Sequence, residues 1–74
     1  MEIKPGQYRH YKGKLYEVMG VARHSETLEE MVVYKGLYKS DKFGDYPLWV
    51  RPRSEFEQEV DVEGRKEPRF KFIG

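Results

Sequence analysis

Cysteine is absent from these 74 residues, which excludes a disulfide framework and a thiolate zinc site and leaves packing and hydrogen bonds as the sources of stability. Long apolar runs are missing as well. Nothing approaches the roughly 20 residues that cross a bilayer. The opening Met1-Glu2-Ile3-Lys4-Pro5 lacks the apolar stretch of a signal peptide, so a cytoplasmic protein with no membrane partner is expected. No glycine-rich phosphate loop occurs: Gly13, Gly20, Gly36 and Gly44 stand isolated in a β-type pattern, which argues against nucleotide hydrolysis. Nor is there a strong excess of charge. The formal net charge is +1, too close to neutral to imply nucleic-acid binding by itself, because that affinity comes largely from Lys and Arg neutralising phosphates. The charge is unevenly spread, with ten Lys/Arg against seven Asp/Glu up to Arg53 and four against six beyond it.

What the chain does have is aromatic bulk: six Tyr, four Phe and one Trp, enough for one packed domain over residues 1–74 despite the charged content. A chain this short buries only roughly 60% of the surface it exposes when unfolded, so the core must be small. β-Branched and aromatic residues recur in short runs separated by Gly, Pro, Asp and Ser. That pattern predicts an all-β fold, a small SH3-like barrel of five or six short, mainly antiparallel strands. The runs are 6–11, 15–24, 31–38, 48–51, 56–62 and 68–73. Gly13 closes the first hairpin, Gly20 marks a bulge, Lys39 to Pro47 reads as an exposed loop, Arg53-Ser54-Glu55 as a single 3₁₀ turn and Glu63-Gly64 as a turn. Alternation nominates Val18, Val33, Leu48, Val50, Phe56, Val60, Val62, Phe70 and Phe72 as core, which turns Trp49 and Arg51 outward.

The densest group of functional side chains is Ala22-Arg23-His24-Ser25-Glu26-Thr27. His24 beside Ser25 with Glu26 close by holds the elements of an activated nucleophile, but neighbours in a strand point to opposite faces and are poorly placed as base and nucleophile. Two readings stay open. Arg23, His24, Ser25, Glu26 and Thr27 contact an anionic or polar ligand, or they satisfy the backbone of a tight turn. His10 and His24 are the only imidazoles, and a metal site built from them with Glu17 or Glu26 would lack both cysteine and a closely spaced His pair, so no metal or cofactor is expected.

Tyr8, Tyr11, Tyr16, Tyr34, Tyr38, Tyr46 and Trp49 exceed what so small a core should enclose, and Arg9, Lys12, Arg23, Lys35 and Arg51 are interspersed with them. Rings flanked by cations suit single-stranded nucleic acid. The same surface suits an extended peptide.

His10-Tyr11-Lys12-Gly13, Tyr16-Glu17-Val18, the Ala22 to Thr27 segment, Val32-Val33-Tyr34, Leu37-Tyr38, Leu48-Trp49-Val50-Arg51-Pro52 and Phe56 together resemble a family of small bacterial domains of unknown function, over residues 6–73. The resemblance implies a compact domain without an established reaction, and the connection from Lys39 to Pro47 is longer than it leads one to expect. The expectation is a noncatalytic binding module, monomeric or weakly self-associating, for an extended peptide or single-stranded nucleic acid. Its site comprises Tyr16, Arg23, His24, Ser25, Glu26, Thr27, Tyr38, Trp49 and Arg51. The alternative is an accessory enzyme or nucleotide-processing domain using His24 with a carboxylate.

Overall fold

The computed structural model describes residues 3–74; Met1 and Glu2, part of the N-terminal segment considered above, lie outside them. The chain runs β1 (Gly6–His10), β2 (Leu15–Arg23), β3 (Glu30–Gly36), β4 (Lys39–Ser40), β5 (Gly44–Asp45), β6 (Leu48–Pro52), α1 (Arg53–Phe56), β7 (Glu59–Val62), β8 (Arg65–Pro68) and β9 (Phe70–Phe72). No helix among the described residues is long and apolar enough to cross a membrane. Five strands form one antiparallel sheet in the order β6-β3-β2-β1-β9, and β4-β5 and β7-β8 are separate hairpins. The fold is all-β, but the ladder does not close on itself: β6 and β9 are edges, so a closed barrel is not formed.

Turn chemistry places the hairpins. Glu63 and Gly64 both take positive φ, 52° and 82°, the pairing that a tight two-residue hairpin requires. Between Val18 and Gly20 the β2–β3 register shifts, so Met19 is the extra residue of a bulge, at the place where Gly20 loosens the strand. The segment from Lys39 to Pro47, expected as a loop, is pinched into the β4–β5 hairpin, with Ser40 Oγ accepting a hydrogen bond from the Phe43 amide at 3.1 Å. Residues 65–67, which belong to none of the expected runs, form β8 with Pro68 against β7, and the run expected over 68–73 breaks at Arg69.

The core is Tyr8, Val18, Val32, Tyr34, Phe56 and Phe70, with Ile3, Tyr16 and Trp49 packed against it. Val18, Phe56 and Phe70 were expected there, and Val60 and Val62 are half-buried. Three other expectations are corrected. On β3 the inward parity is Val32, Tyr34 and Gly36, so Val33 is not a core residue. On β6 the parity is inverted: Tyr34 pairs with Trp49 and Val32 with Arg51, which turns Trp49 and Arg51 toward the core. Leu48 and Val50 are left 64% and 58% exposed. Phe72 is on the inward face, edge-on to Tyr8 at 5.2 Å, yet 43% exposed because β9 is an edge.

Tyr8 and Tyr34, counted among surplus rings, are instead central. A buried tyrosine needs a partner for its hydroxyl. Tyr8 donates to the Lys4 carbonyl at 2.7 Å, and the Tyr34 hydroxyl accepts from Arg51 Nε at 3.4 Å. This core is an aromatic stack more than an aliphatic one: Phe56 lies flat on Phe70, centroids 4.3 Å apart and planes 7° from parallel, with Tyr8 and Tyr34 against its edges.

Candidate functional site

The nine residues expected to form one site divide between the two ends of β2. Tyr16 lies near its start and Arg23 at its finish, about 23 Å apart at roughly 3.3 Å per residue.

At the far end, the 23–29 segment is folded on itself. His24 Nδ1 accepts from the Glu26 and Thr27 amides at 3.2 and 3.4 Å, and Thr27 Oγ1 accepts from the Glu29 amide at 3.2 Å. Arg23 Nη1 donates to the Leu28 carbonyl at 3.0 Å, and the backbones of His24, Leu28 and Glu29 close the turn. Leu28 takes φ +63° and is 63% exposed, a strained conformation for a leucine. Arg23, His24 and Thr27 each commit one side-chain atom to the turn, and all five residues from Arg23 to Thr27 are exposed. His24 contacts no carboxylate within ion-pair distance among the described residues. His10 lies at the opposite end of the sheet from His24, which removes the two-histidine metal arrangement. No three metal-ligating side chains gather among the described residues.

At the near end Tyr16, Tyr38, Trp49 and Arg51 do converge. Tyr16 stands edge-on to Tyr34, Tyr38 and Phe70 at 5.3, 5.7 and 5.6 Å. Trp49 Nε1 donates to the Tyr38 hydroxyl at 3.0 Å. Arg51 reaches Tyr34, lies 3.8 Å from a Glu55 carboxylate oxygen and sits over the Phe70 ring at 5.9 Å. Gly36 fixes Tyr38, since a Cβ at position 36 would come within 2.5 Å of the Tyr38 ring. Only glycine permits that approach.

Burial pushes the Tyr16 hydroxyl pKa well above 10, and Tyr38 and Tyr34 add to the effect, so Tyr16 stays a neutral phenol. Burial also lowers the His10 pKa, assisted by the charges of Arg69, Arg51 and Lys12. His10 Nδ1 accepts from the Lys12 amide at 3.2 Å, repeating the turn chemistry of His24.

The outer rim of this cluster adds Lys14, Lys42 and Phe43, which the sequence did not single out, to Tyr46, already counted among its surplus rings. Phe43, 58% exposed, meets Trp49 edge-on at 5.3 Å. Lys14 Nζ lies 4.4 Å from the Tyr38 ring centre and Lys42 Nζ 5.7 Å from that of Phe43. Tyr46, 52% exposed, stands on the same hairpin connection, its amide bonded to the Tyr38 carbonyl at 2.9 Å. Lys14 lies far from Trp49 in sequence and no periodicity links it to Phe43; the β4–β5 hairpin turns Phe43 back onto Trp49, and the start of β2 brings Lys14 to Tyr38.

Comparisons with known proteins agree with this architecture. A crystal structure of a DUF1653 protein from Bordetella bronchiseptica is 39% identical to the chain, with a TM-score of 0.87 over 97% of this chain and 88% of that one. No curated protein matches. The family described as "Protein of unknown function (DUF1653)" matches residues 6–72, and the chain belongs to it.

Proposed function

We propose that this domain is a noncatalytic binding module of the SH3-like kind, and that its ligand is single-stranded nucleic acid held along the rim of Tyr38, Phe43, Tyr46 and Trp49. The observation that carries the reading is the placing of Lys14 and Lys42 over the rings of Tyr38 and Phe43. A strand without base pairing needs a cation for each phosphate it lays down and an aromatic face for each base, and such stacking tolerates any sequence. Catalysis is disfavoured because both imidazoles accept backbone hydrogen bonds within turns and Tyr16 is held neutral.

The test is a nuclear magnetic resonance titration with oligothymidylate and oligouridylate at low and high salt. Shifts confined to Lys14, Tyr38, Lys42, Phe43 and Trp49 that fade as salt rises are expected. An unmoved spectrum at low salt refutes the reading.

A second reading, an extended peptide, is favoured by the β6 edge, whose Leu48 and Val50 are largely exposed. A peptide adding to the sheet as a strand would pair with the open side of β6 and dock side chains beside those two residues. It predicts shifts in the Leu48–Pro52 amides on adding an extended apolar peptide, with little response to salt.

A further inference from the structure

At the other edge of the sheet, Arg9 of β1 and Lys71 of β9 are direct cross-strand partners, so both side chains leave the same face. Both are exposed, and neither forms an ion pair among the described residues, whereas Arg51 and Arg53 are paired with glutamates. Like charges directly opposite one another destabilise a sheet, and an anion between them would relieve the repulsion. Both cations line a cleft of about 320 Å³ with His10, Tyr11, Glu67, Pro68 and Ile73. Its size lies at the lower end of the range, about 300–1,000 Å³, that small-molecule sites occupy.

Tyr11 supplies a second recognition element. One side of its ring rests on His10, centroids 4.6 Å apart and planes 34° from parallel, and Lys12 lies 5.8 Å from the ring centre. The ring is still 39% exposed. We propose that this cleft binds the phosphate monoester of a nucleoside, either a free mononucleotide or the phosphorylated end of a strand. Arg9 and Lys71 take the phosphate dianion and Tyr11 stacks on the base. Glu67 is the one carboxylate on the lining; it opposes a bare polyanion and offers acceptors to sugar hydroxyls. His10, on the same lining, is kept unprotonated by burial first and then by the charges of Arg69, Arg51 and Lys12, so it does not add to the cations of the cleft. The cleft shares no residue with the Tyr38–Trp49 rim, so its occupancy is separable from the function proposed above.

The experiment titrates the intact chain with adenosine 5′-monophosphate, adenosine and inorganic phosphate at low salt, following backbone and side-chain resonances. Adenosine monophosphate is expected to move Arg9, Tyr11 and Lys71, and adenosine to leave them unmoved. Arg9→Gln and Lys71→Gln each weaken the nucleotide by about tenfold, the loss expected for one charge-assisted hydrogen bond. Both variants melt no lower than the parent, because each removes the repulsion, while Lys66→Gln, which removes an exposed cation outside both the rim and the cleft, leaves nucleotide binding unchanged. Thymidine oligomers with and without a 5′-phosphate then separate the two sources. A gain from the phosphate assigns a strand end; equal binding of the two oligomers, with the mononucleotide still bound, assigns a free nucleotide. The proposal is overturned if adenosine binds as well as its monophosphate, or if the monophosphate leaves Arg9, Tyr11 and Lys71 unmoved.

Discussion

Each histidine in this domain uses Nδ1 as an acceptor for backbone amides that follow it, at Lys12 for His10 and at Glu26 and Thr27 for His24. Asparagine and aspartate more often fill that role, with a side-chain oxygen closing the turn. His24→Ala should therefore cost roughly 1 kcal/mol, the net worth of a typical hydrogen bond. His24→Asn should retain most of it, and urea unfolding of the two variants compares them. His10 adds a pH dependence. Burial, then Arg69, Arg51 and Lys12, hold its folded pKa below the usual 6.5. Below that value the unfolded chain takes up a proton that the folded chain resists, so this contribution is full above pH 6.5 and is lost progressively as pH falls. Melting temperature should drop from about pH 7.5 to about pH 5.5, and His10→Asn, which keeps an acceptor but does not titrate, should flatten that drop. The sequence displayed the polar density of the Arg23 to Thr27 segment and left its role open between ligand and turn. Residue type cannot say whether an acceptor faces a ligand or its own backbone; the folded chain turns His24 Nδ1 and Thr27 Oγ1 to backbone amides.

At the level of the element, β6 shows why alternation is an incomplete guide. A period of two divides Leu48-Trp49-Val50-Arg51-Pro52 into two faces but does not name the buried one. The aliphatic pair was the natural choice, and it fails because the core is built of rings that accept Trp49 beside Tyr34 and give the Arg51 guanidinium a hydroxyl and a carboxylate. Burying Leu48 and Val50 instead would have turned the Trp49 N–H away from Tyr38. Leu48→Thr and Val50→Thr should each change stability by no more than about 0.5 kcal/mol, as exposed positions do. Trp49→Ala should cost about 2 kcal/mol or more through lost packing and an unpaired Tyr38 hydroxyl. Thermal melts of the three variants reverse this order if β6 has the opposite parity. The bulge at Gly20 and the turn at Glu63-Gly64 were legible because glycine's freedom is a local property. Strand β8 was not, since Arg65-Lys66-Glu67-Pro68 has no apolar alternation and is held by the hairpin opposite Val60 and Val62.

For the whole molecule, the consequence of smallness is concentration of stability in a few contacts. One turn of helix, α1, with no side-chain cap at its start, carries Phe56 to the centre of the aromatic stack. Arg53 at the head of that turn is tied to Glu30 of β3 at 3.0 Å and to Glu57 at 3.2 Å. Both pairs are partly exposed, and ion pairs of that kind contribute little. Burial of the ring then holds α1 against the sheet more than these pairs do, while the β7–β8 hairpin is also tied back through Arg69, whose amide donates to the Gln58 carbonyl at 3.0 Å. Truncating a buried phenylalanine costs about 3–5 kcal/mol, whereas a chain of this length has on the order of 4–11 kcal/mol in all at roughly 0.05–0.15 kcal/mol per residue. Phe56→Ala should lower the melting temperature by at least about 12 °C, taking about 4–8 °C per kcal/mol for a domain of this size. Phe56→Leu, which refills much of the space, should cost less than half as much. If burial at this position couples the two parts of the fold, amide hydrogen exchange in Phe56→Ala should accelerate in α1, β7 and β8 together with β3, as one cooperative unit. Fast exchange confined to residues 53–68, with β3 still protected, would instead mark the sheet as a unit that stands without its aromatic lid.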